Sequence, residues 1–342
     1  MSNKEKDIAL SNINKTETIE KVGTLLTYRP DIKVIDCTIR DGGLVNKSQF
    51  EDDFVRAVYV TLEEAGVDYM EFGYKSSKKI ISPAEYGRWK FCDEEDIRRI
   101  IGDIDAKIKI SVMADAERTD YKEDILPKSQ SVVDMVRVAT YAHQIPTALN
   151  MIKDAHDKGY ETAVNLMAAS TVSETELEEA ISILSASEAD IVYVVDSFGS
   201  LYAENVRELM NKFLKYTKPN NKLIGIHAHN NQQLAFGNTI EALTMGASYL
   251  DSSIYGLGRG AGNCNTELLL GFLKNPKYHV RPLLKCISDH FLPFAAKHSW
   301  GYDVPYMLTG QLNRHPQPAI SYIDNPGSVD LTNFYDSLVD ED

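Results

Sequence analysis

The sequence is poor in the features that mark a secreted, membrane-spanning or nucleic-acid-binding protein. Its 342 residues include only four cysteines, Cys37, Cys92, Cys264 and Cys286, and none forms a Cys-x-x-Cys pair. Thiols this sparse in a chain this long do not make a disulfide scaffold, so they read as reduced cysteines of a cytoplasmic protein. No apolar run is long enough to span a bilayer. The stretch from Met1 to Glu20 is polar and carries no secretory signal. Positive charge is also in deficit, with 36 Lys and Arg against 50 Asp and Glu, a formal net charge of −14. Nucleic acid and anionic membrane would be repelled as main partners. An anionic small molecule is not excluded, because a metal ion and a single Arg reverse the field locally.

What the chain does have is length and 43% hydrophobic residues, enough for a sizeable core. Residues 1–29 are rich in Lys, Asn, Glu and Thr without core patterning and read as an N-terminal extension. From Lys33 onward short apolar runs alternate with longer amphipathic stretches. The runs are Lys33–Cys37, Tyr69–Gly73, Ile108–Met113, Met135–Ala139, Thr162–Met167, Ile191–Val195, Leu223–Ile226 and Tyr249–Ser252. Helical patterns lie between them at Phe50–Ala65, Ile145–Lys158, Ser173–Ser185, Ala203–Leu214 and Leu234–Met245. Strands separated by helices imply parallel βαβ units. Eight of them predict an α/β fold, a (β/α)8 TIM barrel over residues 30–275, with an open doubly wound sheet as the alternative. Proline becomes frequent after Phe272, which predicts a C-terminal extension over 276–342 whose helices fold back across one face of the barrel. Its acidic end, Asp330–Asp342, is expected to fray.

Catalytic groups of such a barrel sit at the C-terminal ends of its strands. The first run leads into Asp36-Cys37-Thr38-Ile39-Arg40-Asp41-Gly42-Gly43, where Asp41 can bind a metal and Arg40 a carboxylate. The seventh ends in His227-Ala228-His229-Asn230, and residues i and i+2 of a strand point to one side. Two imidazoles and the Asp41 carboxylate make a familiar metal set with positions left open. After the eighth comes Gly256-Leu257-Gly258-Arg259-Gly260-Ala261-Gly262-Asn263, a loop that brings backbone close to a ligand and offers the Asn263 oxygen to a hard metal. Ser197, after the sixth strand, is a hydrogen-bond donor for a bound acid. Arg137 and Glu71 are charged residues inside apolar strands. Each needs a partner and reads as half of a structural ion pair, with substrate binding for Arg137 and catalysis for Glu71 as the functional alternatives.

On Asp36-x-Thr-Ile-Arg40-Asp41-Gly42, His227-x-His229-Asn230 and Gly258-x-Gly-Ala-Gly-Asn263, the sequence resembles the DRE-TIM metallolyase superfamily. Its members include 3-hydroxy-3-methylglutaryl-CoA lyase, isopropylmalate synthase and 4-hydroxy-2-oxovalerate aldolase. Arg137-Val-Ala-Thr140 and Asp196-Ser197-x-Gly199 make the pyruvate-dependent aldolase the closest branch. The resemblance spans about Lys33 to Phe272. It implies Asp41, His227 and His229 as metal ligands, Asn263 as a fourth, Arg40 on the enolate oxygen and Ser197 on the pyruvate carboxylate. One departure matters: the aldolase has a catalytic His three residues after the metal Asp, and this chain has Leu44. The Cys-containing loop of the acyl-CoA lyases is absent too.

The expected activity is divalent-metal-dependent cleavage or formation of a carbon–carbon bond through a pyruvate-type enolate. Mn²⁺ or Mg²⁺ is the expected ion, with Co²⁺ or Zn²⁺ admitted by the same ligands. A small 2-oxo acid and an aldehyde are the partners, and a homodimer is a further expectation. The alternatives are a Claisen-type acyltransferase and a catalytically silent barrel. With Leu44 unable to move a proton, the general base is expected from the tail: His315 first, then Tyr302, Tyr306 or Tyr322.

Overall fold

The computed structural model describes residues 31–104, 106–325 and 330–340. Eight parallel strands follow one another around a closed barrel: β1 (Lys33–Asp36), β2 (Tyr69–Tyr74), β3 (Lys109–Asp115), β4 (Met135–Thr140), β5 (Glu161–Leu166), β6 (Ile191–Asp196), β7 (Leu223–Ala228) and β8 (Tyr249–Ser252). Pairing of β1 with both β2 and β8 closes the ring and removes the open-sheet alternative. The extension expected over 1–29 lies outside the described residues. Among them, no helix is long and apolar enough to cross a membrane, and all four cysteines are buried and unpaired.

The strands are Val- and Ile-rich because a parallel barrel buries both faces of each. One set of side chains packs outward beneath the helices and forms the main core. The other fills the barrel, with Ile35, Tyr69, Met135, Ala163, Ile191 and Tyr249 among its apolar members. At the N-terminal end of the strands, the Tyr69 and Tyr249 hydroxyls both donate to Glu161, at 2.7 and 2.8 Å. That bottom end is therefore closed, and the opening lies at the other.

Five strands, β2, β3, β4, β6 and β7, run one or two residues further than their apolar patterning implied. β2 extends to Tyr74 and β3 to Asp115, because pairing with neighbouring strands carries polar residues into the sheet.

The chain after β8 does two things. Helix Val280–Cys286 packs on the flank, against Asp52–Ala65. Helices Val304–Gln311 and Gln317–Asp324 then cross the open end: Asn231 Nδ2 donates to the Tyr306 carbonyl at 3.1 Å, and Asn313 Nδ2 to that of Ser170 at 3.0 Å. The acidic end corrects the expectation of fraying. Leu331–Val339 is a helix started by Asp330, whose side chain accepts from the Asn333 N–H. Phe334 and Leu338 are buried with Tyr306 and Ala319, so an apolar stripe hidden among acidic residues docks the segment.

Candidate active site

Period-two alternation stacks the polar interior residues in tiers. In the deeper tier, Arg137 is fully buried. It donates to Glu71 Oε2 at 3.1 Å and to Asp251 Oδ2 at 2.6 Å, with its guanidinium 4.3 Å from the centre of the Tyr193 ring. A desolvated guanidinium persists only with its charge answered in this way. Glu71 Oε2 also accepts from Arg40 Nε at 2.7 Å. Neither Arg137 nor Glu71 borders the cavity above; Ala139, two residues further along β4, does. The structure therefore places neither Arg137 nor Glu71 on the cavity wall, and each is paired with the other, Glu71 also with Arg40 and Arg137 also with Asp251. Both take the ion-pair role.

The upper tier holds the proposed ligands. Asp41 lies on the short helix Thr38–Gly42 after β1, His227 in β7 and His229 just beyond it. One ligand atom from each falls within a 4.8 Å cluster, and all three side chains are buried. Burial opposes ionisation of Asp41, but Arg40 beside it and the two imidazoles hold its carboxyl far below the usual range. Burial pushes His229 well below its ordinary value, so its ring is neutral and has a lone pair to give. Arg40 Nη1 donates to Asp41 at 2.6 Å. Asn263 Nδ2 donates to Asp41 at 2.7 Å, which leaves its Oδ1 buried without a partner. Nε2 of His227 is likewise buried and unpartnered. Nδ1 of His229 is buried and unpartnered too; buried polar atoms without partners are rare, and here three belong to residues grouped around the Asp41 carboxylate, which fits a bound cation. The Gly-rich loop closes over them: a Cβ on Gly258 would fall 2.2 Å from Asn263 Nδ2 and 2.6 Å from Asp41 Oδ2.

Arg40, Asp41, His227 and His229 border a cavity of about 90 Å³ at the C-terminal ends of the strands, together with Leu44, Tyr74, Asp115, Ser197 and Arg259. Ser197 Oγ accepts from the Ala168 N–H at 2.8 Å, so its own proton is free to donate. Arg259 Nη2 donates to the Ser197 carbonyl at 3.0 Å, and its Nε is buried without a partner.

The tail does not supply the expected base to this wall. His315 is exposed, accepts from the Gln317 N–H, and sets its ring edge-on to Phe198. Tyr302 is 53% exposed, Tyr306 packs against Gly260, and the Tyr322 ring lies tilted against Phe334. None of the four borders the cavity.

Sequence reasoning missed Asp251, Tyr74, Asp115 and Arg259. Asp251 carried the same signal as Arg137, a charge inside an apolar strand. Tyr74 and Asp115 fell just past strand ends drawn too early.

The fold and the site together are those of a (β/α)8 enzyme with two imidazoles and a carboxylate at the mouth of its barrel. The chain matches the HMGL-like family over residues 31–288 and belongs to it. It is 32% identical over 260 residues, 76% of this chain and 75% of the relative, to the 4-hydroxy-2-oxovalerate aldolase of Pelotomaculum thermopropionicum. It is 30% identical over 252 residues, 72% of this chain and 71% of the relative, to the oxaloacetate decarboxylase of Mycobacterium tuberculosis. Among solved structures, the N-terminal domain of a candidate aldolase from Bacteroides vulgatus superposes with a TM-score of 0.75 at 29% identity, covering 86% of this chain and 97% of that one. The hydroxymethylglutaryl-CoA lyase of Pseudomonas aeruginosa shares the fold at 18% identity, with a TM-score of 0.63 over 79% and 94% of the two chains. The chain is accordingly an enzyme of the carbon–carbon lyase type.

Proposed function

We propose that the chain is a divalent-metal-dependent lyase that cleaves a 4-hydroxy-2-oxo acid into pyruvate and an aldehyde, with Asp41, His227 and His229 as ligands and Asn263 Oδ1 as a fourth donor. The observation that carries the reading is the convergence of Asp41, His227 and His229 within 4.8 Å beside the unpartnered Nε2 of His227 and Oδ1 of Asn263. A divalent cation held there, Mn²⁺ or Mg²⁺ by the hardness of the oxygen donors, supplies Lewis-acid polarisation of a keto oxygen. Arg40 is locked by Glu71 and Asp41, so its charge stands ready where negative charge develops on that oxygen as the C3–C4 bond breaks. Ser197 donates its free proton to the substrate carboxylate, and Arg259 beside it adds a cation.

Leu44 favours a second reading. It borders the cavity and is 41% exposed, and an apolar side chain cannot take a hydroxyl proton. Decarboxylation of a 2-oxo diacid needs the same charge stabilisation and no such proton transfer, and the mycobacterial relative is named for that reaction.

Chelated and reloaded protein tests the proposal. The ion should bind at about one per chain, and Asp41→Asn or His229→Ala should lose it. Pyruvate release from 4-hydroxy-2-oxopentanoate or from oxaloacetate, each with and without acetyl-CoA, separates aldolase, decarboxylase and acyltransferase. Retention of the ion in both variants would refute the ligand assignment.

A further inference from the structure

Both histidines of the cavity belong to the proposed metal set and Leu44 is apolar, so the wall holds no imidazole for proton transfer. It does hold a carboxylate with nothing bound to it. Asp115 ends β3 and borders the cavity. Among the described residues, no hydrogen bond or ion pair engages that carboxylate, whereas both oxygens of Asp41 accept hydrogen bonds and Asp251 Oδ2 is held by Arg137 and His227.

Its surroundings are built. The β2–β3 register shifts between Glu71 and Tyr74, an irregularity of the kind that re-aims a side chain, and Tyr74 borders the same cavity. A Cβ on Gly73 would lie 1.9 Å from the Trp89 carbonyl oxygen. Glycine there lets the following segment cross directly over the end of β2. The crossing buries Lys90 with its Nζ 3.9 Å from the centre of the Tyr74 ring. The charges facing Asp115 are Lys90, Arg118 and Arg40, with Glu71 opposing them. Burial raises the Asp115 pKa above the usual carboxylate value and lowers that of Lys90.

We propose that Asp115 is the proton-transfer residue of the lyase reaction, accepting the 4-hydroxyl proton of the substrate, with Lys90 and Tyr74 as its positioning residues. The assignment rests on the aldolase reading above. In cleavage, the hydroxyl O–H bond breaks and its proton passes to an Asp115 oxygen. The freed pair forms the aldehyde C=O. The C3–C4 bond breaks, its pair becomes a C2–C3 double bond, and the C2 carbonyl pair moves onto oxygen. Return of the proton from Asp115 to C3 completes pyruvate and restores the carboxylate, so no further reactant is needed.

The experiment uses full-length, metal-loaded protein. Exchange of the pyruvate methyl protons in D₂O and cleavage of the hydroxy acid are both followed in the wild type, which tests the parent reading. Asp115→Asn should lower kcat for cleavage by about 10²–10⁴-fold, leave KM within about threefold, and keep the bound ion and the melting temperature. It should also abolish the acid limb of the kcat profile, because the base acts ionised, and Asp115→Glu should recover part of the rate. Lys90→Met should move that limb to higher pH, since a cation that favours the carboxylate is gone. If Asp115→Asn does not fold, Lys90→Met carries the test, and an unmoved limb overturns the proposal. A wild type that cleaves, with Asp115→Asn within about tenfold of it, overturns the assignment of Asp115 alone. A wild type that neither exchanges nor cleaves overturns the aldolase reading and Asp115's role with it.

Discussion

Asp251 Oδ2 meets Nδ1 of His227 at 2.9 Å, and this contact decides which nitrogen of the ring is presented to the cavity. Burial opposes ionisation of Asp251, but Arg137 and His227 bring its pKa down to about 2, so it is an acceptor near neutral pH. His227 therefore carries its proton on Nδ1 and turns the lone pair of Nε2 toward Asp41 and His229. Arg137, which touches no part of the cavity, acts on the centre through this carboxylate.

Asp251→Asn should weaken metal binding about 10- to 100-fold, the usual cost of losing a carboxylate behind a ligating His. Chelator competition measures it. Unchanged affinity would mean that backbone packing alone orients His227.

Arg40→Lys should lower kcat more than it raises KM. Lysine keeps the charge but cannot hold Glu71 and Asp41 together from one planar fork. Steady-state kinetics on the reloaded protein read both constants, and an unaltered kcat would reduce Arg40 to a structural ion-pair residue.

His315→Ala should leave cleavage within about threefold of wild type, because its ring lies against Phe198 and off the cavity wall. A loss of two orders of magnitude would return the base to the tail and count against Asp115.

Asp36 makes stability depend on pH. Burial raises its pKa to about 6 from an unfolded value of 3.8, despite hydrogen bonds from the Thr38 N–H and the Thr266 hydroxyl. The folded state binds the extra proton between those values, so this contribution is full at low pH and lost as pH rises through about 6. The loss amounts to about 3 kcal/mol. Urea unfolding from pH 4 to 7 should show the wild type declining against Asp36→Asn across that window, and parallel curves would exclude the effect.

The sequence alone determined the barrel, because each strand is an apolar run with its own helical stretch behind it, and local periodicity is written in adjacent residues. It also determined Asp41, His227 and His229 as a set, since the rule that strands end at one face brings distant motifs together. It could not settle Glu71 and Arg137, whose ion-pair and functional readings differ only in whether the side chain borders the cavity. It looked for the base in the tail and could not see that His315 lies off the cavity wall, because His315 stands in a polar cluster whose direction depends on how Val304–Gln311 docks. Only the tertiary structure decided that Asp251 stands behind His227, that Trp89–Lys90 crosses Gly73, and that Asp115 is left without a partner. Those facts come from barrel closure and loop crossing, which join residues far apart in the chain, and no spacing along the chain encodes such a meeting.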